Sequence, residues 1–104
     1  MTVFELSKKL PIEERYSMTD QMRRSSRSAA TNITEGWRKR RYEAAFISKL
    51  SDSETEAAET QTWLEFGVRC GYFTRDEGKG VYKGYNILLG KIVTMINNPK
   101  PWLV

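Results

Sequence analysis

There is no histidine anywhere in the 104 residues, and that absence narrows the chemistry most. It removes the commonest general base, every Ser-His or Cys-His nucleophile pair, and most zinc and iron sites. Cysteine is nearly as scarce. Cys70 stands alone, so no internal disulfide is possible and a reducing compartment is expected. No apolar run approaches the roughly 18 residues that a membrane span needs. Nor does the N-terminal stretch have the order of a signal peptide, since Lys8 and Lys9 follow its short apolar segment instead of preceding it. A cytoplasmic protein with no membrane partner is therefore expected. Strand signals are missing too, with no alternating apolar run and no Asn-Gly or Asp-Gly hairpin turn.

What is present suits one small domain. Seventeen Lys and Arg against 13 Asp and Glu leave a net charge of +4, which permits an anionic partner without demanding one. Apolar residues recur at helical spacing in four segments. The first, residues 3–10, carries Val3, Phe4, Leu6 and Leu10 and is stopped by Pro11. The second, 18–36, opens at Ser17, where a serine with Asp20 three residues on predicts a capping box. Its face runs through Met18, Met22, Ser25 or Ser26, Ala29, Ile33 and Trp37, and the small residues in the middle predict close approach of a neighbouring helix. Gly36 suits the left-handed position that ends a helix. The third segment, 42–70, shows Phe46, Leu50, Ser53, Ala57, Thr60 and Leu64 on one stripe, with Gly71 as terminator. The fourth, 76–97, repeats Val81, Tyr85, Leu88 or Leu89, Ile92 and Met95 or Ile96, weakened by Gly78, Gly80, Gly84 and Gly90, each worth about 1 kcal/mol relative to Ala. Long helices joined by short loops fold back as antiparallel neighbours. The expected fold is all-α, an antiparallel up-down four-helix bundle with a short first helix, in a single domain over residues 1–104.

At these positions the residues also match a known pattern. Gln21-Met22-Arg23-Arg24-Ser25-Ser26, with Ser28 and Asn32-Ile33-Thr34-Glu35-Gly36, resembles the Q-x-R-R-A-A…S-I-x-x-N-I-A-E-G signature of the bacterial four helix bundle proteins, also called 23S rRNA intervening-sequence proteins. Glu59-Thr60-Gln61-Thr62-Trp63-Leu64 with Cys70-Gly71-Tyr72 is similar to that family's E-T-Q-x-W-L…C-G-Y stretch, and Asn98-Pro99-Lys100-Pro101-Trp102 to its closing N-P-x-x-W. The resemblance implies a four-helix protomer that assembles into a ring-like homopentamer. It also makes Asn32, Glu35, Gly36, Glu59, Gln61 and Trp63 signature residues of the structure. Two departures stand out. Family members usually carry a longer first helix, and Ala29-Ala30 replaces a common Ile-Pro pair, so the second helix should run without a proline kink.

Charge is sharply partitioned. Between Arg23 and Arg41 seven bases (Arg23, Arg24, Arg27, Arg38, Lys39, Arg40, Arg41) face Glu35 alone, and between Tyr42 and Phe66 six acids face Lys49 alone. Two readings compete. Arginine forks fit phosphate oxygens, so the basic block, above all Arg38 to Arg41 with Trp37 and Tyr42 beside it, could bind RNA or DNA. Alternatively the basic second helix pairs with the acidic third. Glu56 and Glu59 have the spacing of di-iron ligands, but such sites need a histidine, so neither metal nor cofactor is expected. Cys70 reads as a small packing residue and Asn32 as a buried group that fixes register. Trp63 and Trp102 read as anchors, and Gly78-Lys79-Gly80 lacks the spacing of a phosphate loop. The expected function is a non-enzymatic homo-oligomeric scaffold that binds nucleic acid through the basic loop. The alternative is an adaptor for another protein.

Overall fold

The apolar periodicity resolves into four helices in the computed structural model, which describes all 104 residues. They are α1 (Val3–Ser7), α2 (Met18–Arg38), α3 (Glu43–Arg69) and α4 (Arg75–Asn97), with single 3-10 turns at Ile12–Glu14 and Lys100–Trp102 and no strand. The fold is the all-α bundle with a short first helix. Helix α1 is shorter than its apolar spacing predicts, because Lys8 and Lys9 already turn and the proline ahead disfavours helical geometry at Leu10.

The helix starts are fixed at two places the apolar pattern did not single out. Thr2 and Thr74 accept from the backbone N–H of Glu5 and Glu77, whose carboxylates accept in return from the threonine N–H, so both are reciprocal capping boxes. The box expected at Ser17 is absent. Its hydroxyl donates instead to Glu14 Oε1 at 2.6 Å, leaving no side-chain cap on α2. Gly36 is not a terminator either, since α2 continues through Arg38. A Cβ at Gly36 would lie 3.2 Å from the Lys49 Cβ, so this glycine serves close packing of α2 on α3. The left-handed residue is Gly71, with φ +75, and the Tyr72 and Gly71 N–H groups donate back to the Gly67 and Val68 carbonyls to close α3.

The small residues midway along α2 and α3 form the seam between them. Ser53 Oγ donates to the Ala29 carbonyl at 2.7 Å, and the buried Ser25 and Thr60 hydroxyls share a hydrogen bond of 2.8 Å. The polar atoms in this seam are therefore satisfied, which makes their burial tolerable. Apolar clusters sit at either end. One joins Leu6, Met22, Leu64 and Phe73, and the other joins Phe46, Leu50 and Ile92. Helix α3 packs along both α2 and α4, while α1 bridges α2 and α4 at one end.

The result is a thin layer of 45 × 25 × 16 Å. Its radius of gyration of 15.0 Å exceeds the roughly 13 Å of a compact chain this long. Helix α4 shows why: only Gly78 and Ile92 are buried on it, and Ile87 is 63% exposed. Cys70, expected to pack inside, is exposed. No helix is long and apolar enough to cross a membrane.

Two long-range ties hold the N-terminal segment. The Tyr72 hydroxyl donates to Glu14 Oε2 at 2.9 Å, which with burial pushes the phenol up to about 12. Lys9 pairs with Glu77, and this bond together with the Thr74 N–H holds the Glu77 carboxyl at about 2, against an ordinary 4.5. A carboxylate depressed in the folded state stabilises the fold above its unfolded pKa and loses that contribution as pH falls through the folded value. The window here is from about pH 4.5 down to about 2. Acid unfolding curves of Glu77→Gln should be flatter than wild type in that window. Identical slopes would show that the pair contributes nothing.

Candidate nucleic-acid interface

The basic run occupies the end of α2 and the tight turn into α3. The Lys39 N–H donates to the Glu35 and Gly36 carbonyls, and the Tyr42 N–H to the Lys39 carbonyl at 2.9 Å, so the backbone of the turn is ordered by its own hydrogen bonds. Cations here also complement the partial negative charge of the α2 C-terminus, a structural contribution of about 0.3–1 kcal/mol. That contribution needs one or two charges, and the turn has four.

None of Arg38, Lys39, Arg40 or Arg41 lies within ion-pair distance of a carboxylate. The Arg40 guanidinium stacks 3.8 Å over the Trp37 ring centroid. Trp37 remains 43% exposed and Tyr42 64% exposed. Trp37, Arg38, Arg40, Arg41, Tyr42 and Val104 line a cavity of about 320 Å³. Aromatic faces and free guanidinium forks in one concavity are what an unpaired base and its phosphate require.

The other arginines of the block are used differently. Arg24 donates through Nη1 to Glu56 Oε2 at 2.7 Å, through Nη2 to both oxygens of Glu59 at 2.9 and 2.8 Å, and through Nε to Gln21 Oε1. The two carboxylates, Glu59 foremost, hold its guanidinium more firmly protonated. For Arg24 the helix-pairing reading is the structural fact. The same flank pairs Lys49 with Glu35 at 2.8 Å, a bond that lowers the Glu35 carboxyl and raises the Lys49 ammonium. Arg23 donates through Nε to Ser7 Oγ at 2.8 Å and covers the Phe4 ring, whereas Arg27 is exposed and has no carboxylate partner.

The signature residues make contacts within the protomer. Gln61 Nε2 donates to Asn86 Oδ1 at 2.8 Å and to the Tyr82 carbonyl, tying α3 to α4. Glu59 holds Arg24, Glu35 holds Lys49, and Gly36 lets α3 approach. Trp63 packs on Phe66 with centroids 5.8 Å apart, and its buried indole N–H has no partner. Asn32 does not fix register between helices, because its amide donates to the Ser28 carbonyl and hydroxyl one turn back on α2. Trp102, expected as an anchor, is 41% exposed.

A family model described as 23S rRNA-intervening sequence protein matches residues 1–95. Among solved structures, the chain is similar to a protein of unknown function from the S23 ribosomal protein family of Bacteroides thetaiotaomicron VPI-5482. The TM-score is 0.79 with 30% sequence identity, over 90% of this chain and 87% of that one. No curated protein matches.

Proposed function

The chain belongs to the 23S rRNA-intervening sequence protein family, and from that premise we propose that it is a homo-oligomeric, non-enzymatic scaffold of the cytoplasm that engages RNA or DNA through Arg38, Lys39, Arg40 and Arg41. The observation that carries the reading is the contrast within one basic block. Arg24 is saturated by carboxylates, while none of the four cations of the turn forms an ion pair, and Arg38, Arg40 and Arg41 share a cavity with two exposed aromatic rings.

Self-association is supported by α4. A Cβ at Gly80, Gly84 or Gly90 would meet nothing within 4 Å, so nothing in the protomer accounts for three helix-weakening glycines. Ile87 and Trp102, both exposed, share one concavity with Gly90. A second copy seated on this face would account for both, and the family resemblance makes five copies the expected number. Repetition of the basic turn around an assembly would then turn weak single sites into useful avidity.

Labelled RNA and DNA oligomers titrated across salt test the proposal. Neutralising four phosphates of a single strand gives a log–log slope near −3 per protomer, a loss of roughly 50-fold between 50 and 200 mM salt. The variant Arg38→Ala/Lys39→Ala/Arg40→Ala/Arg41→Ala should lose binding while keeping its oligomeric mass. A flat salt response, or binding unchanged in the variant, overturns the nucleic-acid role. A monomeric mass at micromolar concentration overturns the scaffold.

A further inference from the structure

Arg23, Arg27, Ala30, Thr34 and Arg38 follow one another along α2 at spacings of four, three, four and four, which places them on a single outward stripe. No acid lies on that stripe. Its far end, about 22 Å from Arg38 along the helix axis, opens into a cavity of about 370 Å³ where α1 and the connector meet α2. Ser7, Lys8, Arg15, Thr19 and Arg23 give it its polar lining, and no carboxylate lines it.

Three cations gather in this corner, and none of Lys8, Arg15 and Arg23 forms an ion pair. The Lys8 ammonium and the Arg23 guanidinium each lie 4.7 Å from the centroid of the same Phe4 ring, which holds both cations at this corner. The nearest carboxylates balance this charge only in part, Glu5 acting on Lys8 at a distance without an ion pair. Glu14 accepts from Ser17 and Tyr72, and Glu5 accepts from the Thr2 N–H. The neighbouring Lys9 is drawn away to Glu77. Arg23 is held in place through Nε by Ser7, which leaves its Nη groups without a protein acceptor. A guanidinium fixed by one nitrogen, with its fork open to a concave surface beside two further cations, is a phosphate receptor in form.

We propose that this corner is a second phosphate-binding site, occupied by the backbone of the same nucleic-acid strand that engages the basic turn. The proposal rests on that reading of the turn, and it adds a length requirement. Phosphates repeat at about 3.4 Å along a stacked strand, so spanning the two sites takes about seven nucleotides.

Fluorescence anisotropy with a labelled 4-nucleotide and a labelled 16-nucleotide RNA tests it on three full-length proteins. These are the wild type, the four-residue turn variant and Lys8→Ala/Arg15→Ala, which leaves the Arg23–Ser7 contact intact and should keep the wild-type melting temperature and mass. The corner variant should lose about tenfold in affinity for the 16-mer near 0.15 M salt, with a salt slope shallower by about 1.4, and show no change for the 4-mer. If the corner variant binds the 16-mer as wild type does while the turn variant fails, the second site is overturned and the turn survives. Equal losses on both lengths also overturn it, because a span would then play no part. If wild type binds neither RNA, both readings fall.

Discussion

Gly67→Ala is expected to destabilise the protomer by about 2–4 kcal/mol and lower its melting temperature by about 10–20 °C. A Cβ at this position would lie 2.1, 2.4 and 2.9 Å from three atoms of the Phe73 ring. That ring cannot easily yield, because it is buried in the first apolar cluster and Gly78 faces it from α4, where a Cβ would approach it to 3.3 Å. Alanine would bring about 1 kcal/mol of intrinsic helix preference, but ejecting or compressing a buried phenylalanine outweighs that. Gly84→Ala is the matched control. Its Cβ meets nothing within 4 Å, so the same chemical change should stabilise the isolated protomer by about 0.4–1 kcal/mol. Thermal melts followed by circular dichroism at one protein concentration separate the two. If Gly67→Ala melts with Gly84→Ala, the clamp on Phe73 is not rigid.

Leu6→Ala is expected to cost about 3 kcal/mol and to release α1 as a unit. A five-residue helix has no stability of its own, so it is held by what it buries and by its ties. Leu6 is fully buried against Val3, Met18, Met22, Leu64 and Phe73, and truncating such a side chain removes its transfer energy and leaves a cavity. Undocking α1 would also detach Ser7 from Arg23 and open the phosphate corner. Amide hydrogen exchange should show protection lost across residues 3–10 while α3 stays protected. Uniform loss along the chain would mean that α1 and the three long helices unfold together.

The helix faces were legible because burial in a bundle follows the 3.6-residue repeat. Phe46, Leu50, Ser53, Ala57, Thr60 and Leu64, one stripe in the sequence, are all buried on α3. What escaped was anything decided by a partner on another element. Gly36 looked like a helix stop because a glycine used for close packing and one used for a left-handed turn are the same letter, and Lys49 makes the difference. Ser17 had the spacing of a cap but is captured by Glu14, whereas Thr2 and Thr74 carried the Thr-x-x-Glu signal openly.

The candidate site divides in the same way. The charge run from Arg38 to Arg41 was plain, but Arg23 and Arg24, adjacent in sequence, point about 100° apart around α2. One turns to Ser7 and Phe4 and the other to Glu56 and Glu59, a division no composition could express. Lys8 and Arg15 carried no signal of their own. They matter because Pro11 and the short turn after it bring the connector back against α2.

The topology also sets an order of assembly. Helices α2 with α3, and α3 with α4, pair with their immediate neighbours across tight turns, and local closures of this kind place helical bundles among the chains that fold in microseconds to milliseconds. The tie between Lys9 and Glu77 joins residues 68 positions apart. Its loop closes at little entropic cost only once the three long helices have already brought Glu77 into place. The segment that completes the phosphate corner thus precedes the three long helices in the chain and is seated after them in the fold.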